Sequence, residues 1–307
     1  MKRYLKISAI CLVFAALSCK DSSSNVQNSS NGNPKIRLKG SESEYNLIKY
    51  MSDQFNHKTG NNVSIELAGG GSGVGIESLL RHEIDIANSS RVLSEEEQQK
   101  ASQNGIVPLP IVIATDAVAI ITNSSNPIDS LSLYQLAGIF SGSINNWQDV
   151  GGPNLPIKII CRDEHSGTHH YILTRLNIKE YAKGSMVKHE NAEIIQSVKN
   201  ETGAIGYVNL GSLIDISGLP VKDVWPISPY FEGGKAHSPY ETDAVRCGDY
   251  PLIRPLYQYV IGYPTGKVLD LLKFETSDEM QKKLEAHGYF PLSEMHRTLN
   301  RKNVKGL

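Results

Sequence analysis

The sequence predicts an α/β fold, and three observations carry that prediction. Short β-branched runs alternate with stretches at helical spacing, the pattern of strand and helix in turn. Loops of glycine and small polar residues follow three of the expected strands in succession. An apolar run at residues 106–122 is too β-branched, and too broken by Thr115 and Asp116, for a membrane-spanning helix. It suits a long buried strand passing between two domains, and 307 residues are enough for two.

Element by element, Lys35-Ile36-Arg37-Leu38-Lys39 alternates as a strand, and Tyr45, Ile48, Met51, Ser52 and Phe55 recur at helical spacing. Residues 62–67 form a second strand, followed by a glycine loop and a helix through Ile76, Leu79 and Leu80. Residues 83–88 form a third strand that ends at Ser89-Ser90-Arg91. Leu131, Tyr134, Leu136, Ile139 and Phe140 mark a helix, and residues 156–161 a strand that delivers Arg162 to a further loop. After a Gly/Pro/Tyr-rich surface region comes a return strand, residues 257–261, and two helices at 266–274 and 277–287 close the chain. No internal repeat is visible.

Three segments stand immediately before expected helices: Gly40-Ser41-Glu42-Ser43, Gly69-Gly70-Gly71-Ser72-Gly73-Val74-Gly75 and Arg162-Asp163-Glu164-His165-Ser166-Gly167-Thr168. A helix N-terminus carries unsatisfied N–H groups and partial positive charge, and Gly and Ser let backbone and hydroxyl come close to an oxyanion. Arg162 lies four to six residues from Ser166, Gly167 and Thr168, so guanidinium, hydroxyls and N–H groups can converge on one tetrahedral anion. A capped helix with a surface arginine would show the same local pattern. In open α/β sheets, ligands bind at the carboxyl ends of strands, where these loops fall.

Familiar alternatives fail on spacing. Gly75 is followed by Ile76 and Glu77 rather than the Lys-Ser/Thr of a P-loop, and the glycines do not satisfy G-x-G-x-x-G. Val74 occupies the second glycine position of a nucleophile elbow around Ser72. His165, His169 and His170 cluster without a carboxylate set at metal-ligand spacing, so no metal, cofactor or catalytic residue is assigned. Glu95-Glu96-Glu97 reads as a solvated helix start, and Trp147 and Trp225 as packing residues.

Charged residues make up 21% of the chain and the formal net charge is −1, which argues against nucleic acid or an anionic membrane surface as a bulk partner. The N-terminus reads as a processing signal: a basic start, then an apolar run at residues 7–17. Ala16-Leu17-Ser18-Cys19 resembles a lipobox, with Ala16 where Leu is usual, which implies a signal peptide of residues 1–18 and lipidation of Cys19. A plain secretory signal is the alternative; on both readings the mature chain leaves the cytoplasm. Ser- and Asn-rich residues 19–34 then form a disordered tether. In an oxidising compartment Cys161 and Cys247 either pair or stay as two free thiols.

The three loops, together with Asp85-Ile86-Ala87-Asn88-Ser89-Ser90-Arg91, Arg254-Pro255-Leu256-Tyr257 and the ending Gly288-Tyr289-Phe290-Pro291-Leu292, resemble in order the signatures of the periplasmic phosphate-binding proteins of ABC phosphate importers. The resemblance implies a two-lobed periplasmic binding protein of type II, the Venus-flytrap form, with a central sheet in each lobe and a ligand cleft between them. One lobe would comprise residues 35–114 and 258–307, the other residues 115–257. Phosphate would be held by Ser41, the Glu42 N–H and Ser72 from one side and by Arg162, Ser166, the Gly167 N–H and Thr168 from the other. Glu164 falls where the family braces the arginine with a carboxylate, and Arg91 adds a second positive charge. His165 replaces the usual glycine before Ser166. Ser90 lies where many members have an aspartate that accepts the proton of phosphate, and a serine repels sulfate or molybdate less. The implied partners are inorganic phosphate, a membrane permease with its ATPase subunits, and the membrane itself through the lipid anchor; the protein would be a periplasmic or cell-surface monomer. Alternatives are another tetrahedral oxyanion as cargo, a phosphate-sensing lipoprotein and, more remotely, a phosphohydrolase.

Overall fold

The computed structural model describes residues 34–215 and 218–307; the expected signal peptide, Cys19 and the tether through residue 33 lie outside them. The chain starts with β1 (Lys35–Gly40), α1 (Glu42–Lys58), β2 (Ser64–Ala68), α2 (Ser72–Leu80) and β3 (Ile86–Ser89). Leu47, Ile48, Met51 and Phe55 share the buried face of α1, with Glu42 and Glu44 in its first turn and His57 and Lys58 in its last, the polarity the helix dipole favours. Next come α3 (Glu95–Gln103), opened by a capping box between Ser94 and Glu97, and the 16-residue β4 (Pro108–Asn123).

The middle of the chain holds β5 (Ser130–Ser132), α4 (Leu133–Ser141), β6 (Lys158–Arg162), α5 (Gly167–Arg175), β7 (Met186–Lys188), α6 (Asn191–Asn200), β8 (Ala204–Asn209), β9 (Val224–Tyr230) and α7 (Thr242–Cys247). The chain returns through β10 (Ile253–Ile261), α8 (Gly266–Glu275), α9 (Asp278–Gln281), β11 (Tyr289–Phe290) and α10 (Glu294–Asn303).

Strand order is β2-β1-β3-β10-β4-β8-β6-β7. β1 runs parallel to both β2 and β3, so their carboxyl ends, and the three loops that follow them, share one edge. β4 is common to two sheets: up to Ala117 it pairs antiparallel with β10, and from Val118 to Asn123 with β8 and β9. β6 lies parallel to β8, so its carboxyl end delivers Arg162 to the site. Each side of this crossing has its own core. Ile36, Leu47, Ile48, Met51, Ile111 and Leu271 pack on one; Val118, Leu136, Phe140, Trp147, Ile172 and Tyr207 on the other. The molecule is thus two-lobed.

Three expectations need correction. The region read as Gly/Pro/Tyr-rich surface contains β8, all six of whose residues are buried. Its Ala-Ile-Gly-Tyr-Val-Asn sequence is a strand hidden on both faces, which loses the alternation that marks a half-exposed one. The helix expected at 277–287 is broken into α9 and a 3-10 turn, Leu284–His287. The chain does not close there either. α10 follows, and Asn300 acts as a strand substitute: its Oδ1 accepts from the Val112 N–H at 2.8 Å and its Nδ2 donates to the Val112 carbonyl at 2.7 Å.

Candidate functional site

Backbone contacts fold the loops after β1, β2 and β3 into one wall. The Ser41 N–H donates to the Asn88 carbonyl at 2.9 Å, and the Gly71 N–H to the Gly40 carbonyl at 2.9 Å. At Gly40, with φ +141°, a Cβ would stand 2.1 Å from the Asn88 oxygen, so only glycine allows this approach. Ser72, the first residue of α2, is fully buried; its Oγ accepts from the Ser90 N–H at 3.1 Å and lies 3.3 Å from the Ser90 Oγ. The Glu42 carboxylate accepts from the Gly70 N–H at 2.7 Å, bracing the glycine loop.

The opposite wall is the turn from β6 into α5. Ser166 caps α5, its Oγ accepting from the His169 N–H at 3.3 Å. The two walls touch. The Gly73 N–H donates to the His165 carbonyl at 3.1 Å, and the Ser43 and Thr168 hydroxyls are 2.9 Å apart. A Cβ on Gly167 would stand 2.3 Å from the Ser72 Oγ and 2.4 Å from the Ser90 Oγ. Ser41, Ser72, Ser90, Arg162, Ser166, Gly167 and Thr168 are all buried where the lobes meet, so sequence-distant loops do converge as expected. Cavities of about 390 and 520 Å³ flank this contact, one walled by Ser90, Tyr171 and Arg254, the other by Glu42, Gly69 and Asn191.

Charge is arranged unevenly. Arg162 is 1% exposed, and among the described residues no carboxylate lies within ion-pairing distance of it. Its Nη1 donates to Asn191 Oδ1 at 3.0 Å and its Nη2 to the His189 carbonyl at 2.5 Å, while Nε is buried without a partner. Burial lowers its pKa, the signature of a desolvated cation. The other two arginines beside the loops are already neutralised. Arg91, expected to add a second positive charge, is held bidentately by Glu97 at 2.7 Å, and Glu97 is not the solvated residue its acidic run suggests. Arg254 pairs with Asp116 at 2.9 Å. Glu164, expected to brace Arg162, is instead exposed on the loop, where only its carbonyl is engaged, by His170 Nε2 at 2.7 Å. Neutral acceptors from α6 and the segment before it take that bracing role.

Sequence reasoning missed Ser43, Asp116, His189, Asn191, Tyr207 and Arg254. Ser43 and Arg254 lay inside quoted motifs and Asp116 inside the long apolar run, but none was given a role. Arg254 and Asp116 face each other across β10 and β4 where the lobes join, and Arg254 Nη2 also donates to Ser43 Oγ at 3.0 Å. Burial raises the Asp116 pKa to about 6 despite that arginine. Tyr207 Oη accepts from the Arg162 N–H at 3.0 Å. His169 Nδ1 meets the Arg162 carbonyl at 2.7 Å, and no group of three or more His, Cys, Asp or Glu among the described residues is placed to hold a metal. Cys161 is buried, Cys247 exposed, and both are free thiols. Trp147 packs as expected, whereas Trp225 is 54% exposed.

The chain matches the PBP superfamily domain over residues 25–279. It is 27% identical over 267 residues to protein SphX of Synechococcus elongatus, covering 85% of this chain and 77% of that one. It is 25% identical over 300 residues to the phosphate-binding protein PstS of Bacillus subtilis, covering 96% and 93%. Among solved structures, a substrate-binding protein of Clostridium perfringens with bound phosphate aligns with TM-score 0.73 and 26% identity over 84% of this chain and all of that one. An ABC-type phosphate transport receptor of Vibrio cholerae aligns with TM-score 0.65 and 26% identity over the same shares. With two lobes on a shared strand, a closed cleft of four small-residue loops and a match over most of its length, the chain belongs to the PBP superfamily.

Proposed function

We propose that this protein captures inorganic phosphate between its lobes, outside the cytoplasm, and hands it to the permease of an ABC importer. The observation that carries the reading is Arg162: a buried guanidinium with an unpartnered Nε and, among the described residues, no carboxylate at ion-pairing distance, at the head of the loop that carries Ser166 and Thr168. A buried guanidinium braced only by neutral oxygens, with one N–H unsatisfied, is costly, and an oxyanion between the lobes would supply both charge and an acceptor. The likeness to phosphate-binding proteins from several bacteria supports the choice of anion.

Ser41, Ser72, Ser90, Arg162, Ser166 and Thr168 would supply side-chain donors, and the first N–H groups of α1 and α5 the rest. Hydrogen bonds to a charged group contribute about 1.5–3 kcal/mol each, and micromolar affinity needs about 8 kcal/mol, so six or seven donors suffice after ordering costs. The site holds donors and a cation without an activated nucleophile, which favours capture over turnover of a phosphoester. Residues 35–114 with 258–307 would move against residues 115–257, with the chain tethered to the membrane through Cys19.

Ser90 bears on selectivity. Its hydroxyl, paired with Ser72, can donate or accept, whereas an aspartate there would repel a fully ionised anion. Competition of sulfate and molybdate against phosphate in an equilibrium binding assay tests this. Phosphate-only binding supports the reading, and preferential sulfate or molybdate binding replaces the cargo.

A further inference from the structure

We infer that Arg254 and Ser43 form a positioning relay that fixes the Thr168 hydroxyl as a donor toward the captured anion, an inference that rests on the phosphate reading. Arginine has donors only and stays protonated, so the 3.0 Å contact of Arg254 Nη2 with Ser43 Oγ has one possible direction: Ser43 accepts. Ser43 is 1% exposed, and its hydroxyl has two hydroxyl or guanidinium neighbours, Arg254 Nη2 and Thr168 Oγ1. Its proton must therefore point at Thr168 across 2.9 Å, because a buried hydroxyl proton without an acceptor carries an uncompensated desolvation cost. Thr168 then accepts from Ser43, and its own proton is left for the cleft.

The order of donors is thus Arg254 to Ser43, Ser43 to Thr168, and Thr168 to the anion. Without Arg254, the Ser43–Thr168 pair could run either way, and half of its arrangements would turn the Thr168 lone pairs rather than its proton to an incoming negative charge. Asp116 keeps the arginine in place through Nε at 3.1 Å and Nη2 at 2.9 Å, and the Tyr171 ring lies against the guanidinium, 5.2 Å from ring centre to Cζ. The Ser43 carbonyl accepts from Tyr289 Oη at 2.8 Å, so the start of α1 is fixed from a second side. Ser43 belongs to α1, Thr168 to α5 and Arg254 to β10, so the relay exists only while the lobes are closed. Closure and donor direction are set by the same contacts.

A double-mutant cycle in the full chain tests the relay, with inorganic phosphate titrated calorimetrically into the wild type, Ser43→Ala, Thr168→Val and the double variant. Ser43→Ala is expected to weaken phosphate binding about tenfold in the wild-type background and by less than twofold once Thr168→Val has removed the hydroxyl it orients. Thermal unfolding of each variant checks that the fold persists; Arg254→Met, which strands Asp116, is not needed. Equal losses in both backgrounds overturn the relay and give Ser43 a purely structural role, and no loss in either background overturns it as well. A wild type that binds no phosphate overturns the phosphate reading and the relay together, whereas additive losses on a phosphate-binding wild type overturn the relay alone.

Discussion

At the residue scale, Arg162 differs from Arg91 and Arg254 in having neutral partners, and this difference is what a sequence conceals. All three arginines look alike in the chain, but Glu97 lies six residues from Arg91 and Asp116 faces Arg254 only through strand register. The loops themselves were legible because three Gly/Ser/Thr segments before expected helices, one with an arginine, recur on one chain, although each alone is an ordinary helix cap. The bracing groups Asn191 and His189 were not, since each acts through a single oxygen brought in by the β6–β7 pairing. Arg162→Ala is expected to weaken anion binding about 100-fold, equivalent to about 3 kcal/mol, with cooperative unfolding retained; calorimetric titration and thermal melts check both.

Glu275, also fully buried, gives a pH prediction. Burial raises its pKa from 4.5 to about 8, opposed only by a weak bond from Gln258. The folded chain holds this proton more tightly than the unfolded chain, so its stabilising contribution is complete below about pH 4.5 and is lost as pH rises to about 8. Glu275→Gln should flatten the fall in melting temperature between pH 5 and 8. An unchanged slope would place that dependence elsewhere.

At the element scale, the strands and helices nearest the N-terminal half were readable because each shows one clear period. β1 alternates and α1 repeats on one face, so β1 came out within a residue of its observed bounds, and the periodic positions Tyr45 to Phe55 fall inside α1. β8 and α10 were missed for opposite reasons. β8 is buried on both faces, and α10 is strongly polar and attached to β4 through Asn300. The α2–β1 contact depends on Gly75, where a Cβ would stand 2.5 Å from the Lys39 carbonyl oxygen. Gly75→Ala should therefore destabilise the chain by about 1–3 kcal/mol in denaturant unfolding, a backbone clash that a helix-favouring residue cannot offset. A gain in stability would show that α2 can shift away from β1.

At the scale of the whole molecule, the two lobes meet along β4, which pairs with β10 on one side and with β8 and β9 on the other, and the contacts that close the cleft join strand-end loops and the first turns of α1 and α5. The two-lobed form followed from the resemblance and from the long apolar run now seen as β4, while the closed arrangement of the walls needed coordinates. Gly167 marks the tightest point. Gly167→Ala should hold the lobes apart, because the new methyl would overlap the Ser72 and Ser90 hydroxyls, and small-angle scattering should then show no compaction on adding phosphate. Compaction equal to that of the wild type would contradict the closed geometry.

The most direct measurement is isothermal titration of the anion-free protein with phosphate, sulfate and molybdate in parallel. Phosphate is expected to bind with micromolar or tighter affinity while sulfate and molybdate give no heat beyond dilution. Absence of phosphate binding, with or without uptake of another oxyanion, would contradict phosphate capture at the Arg162 site.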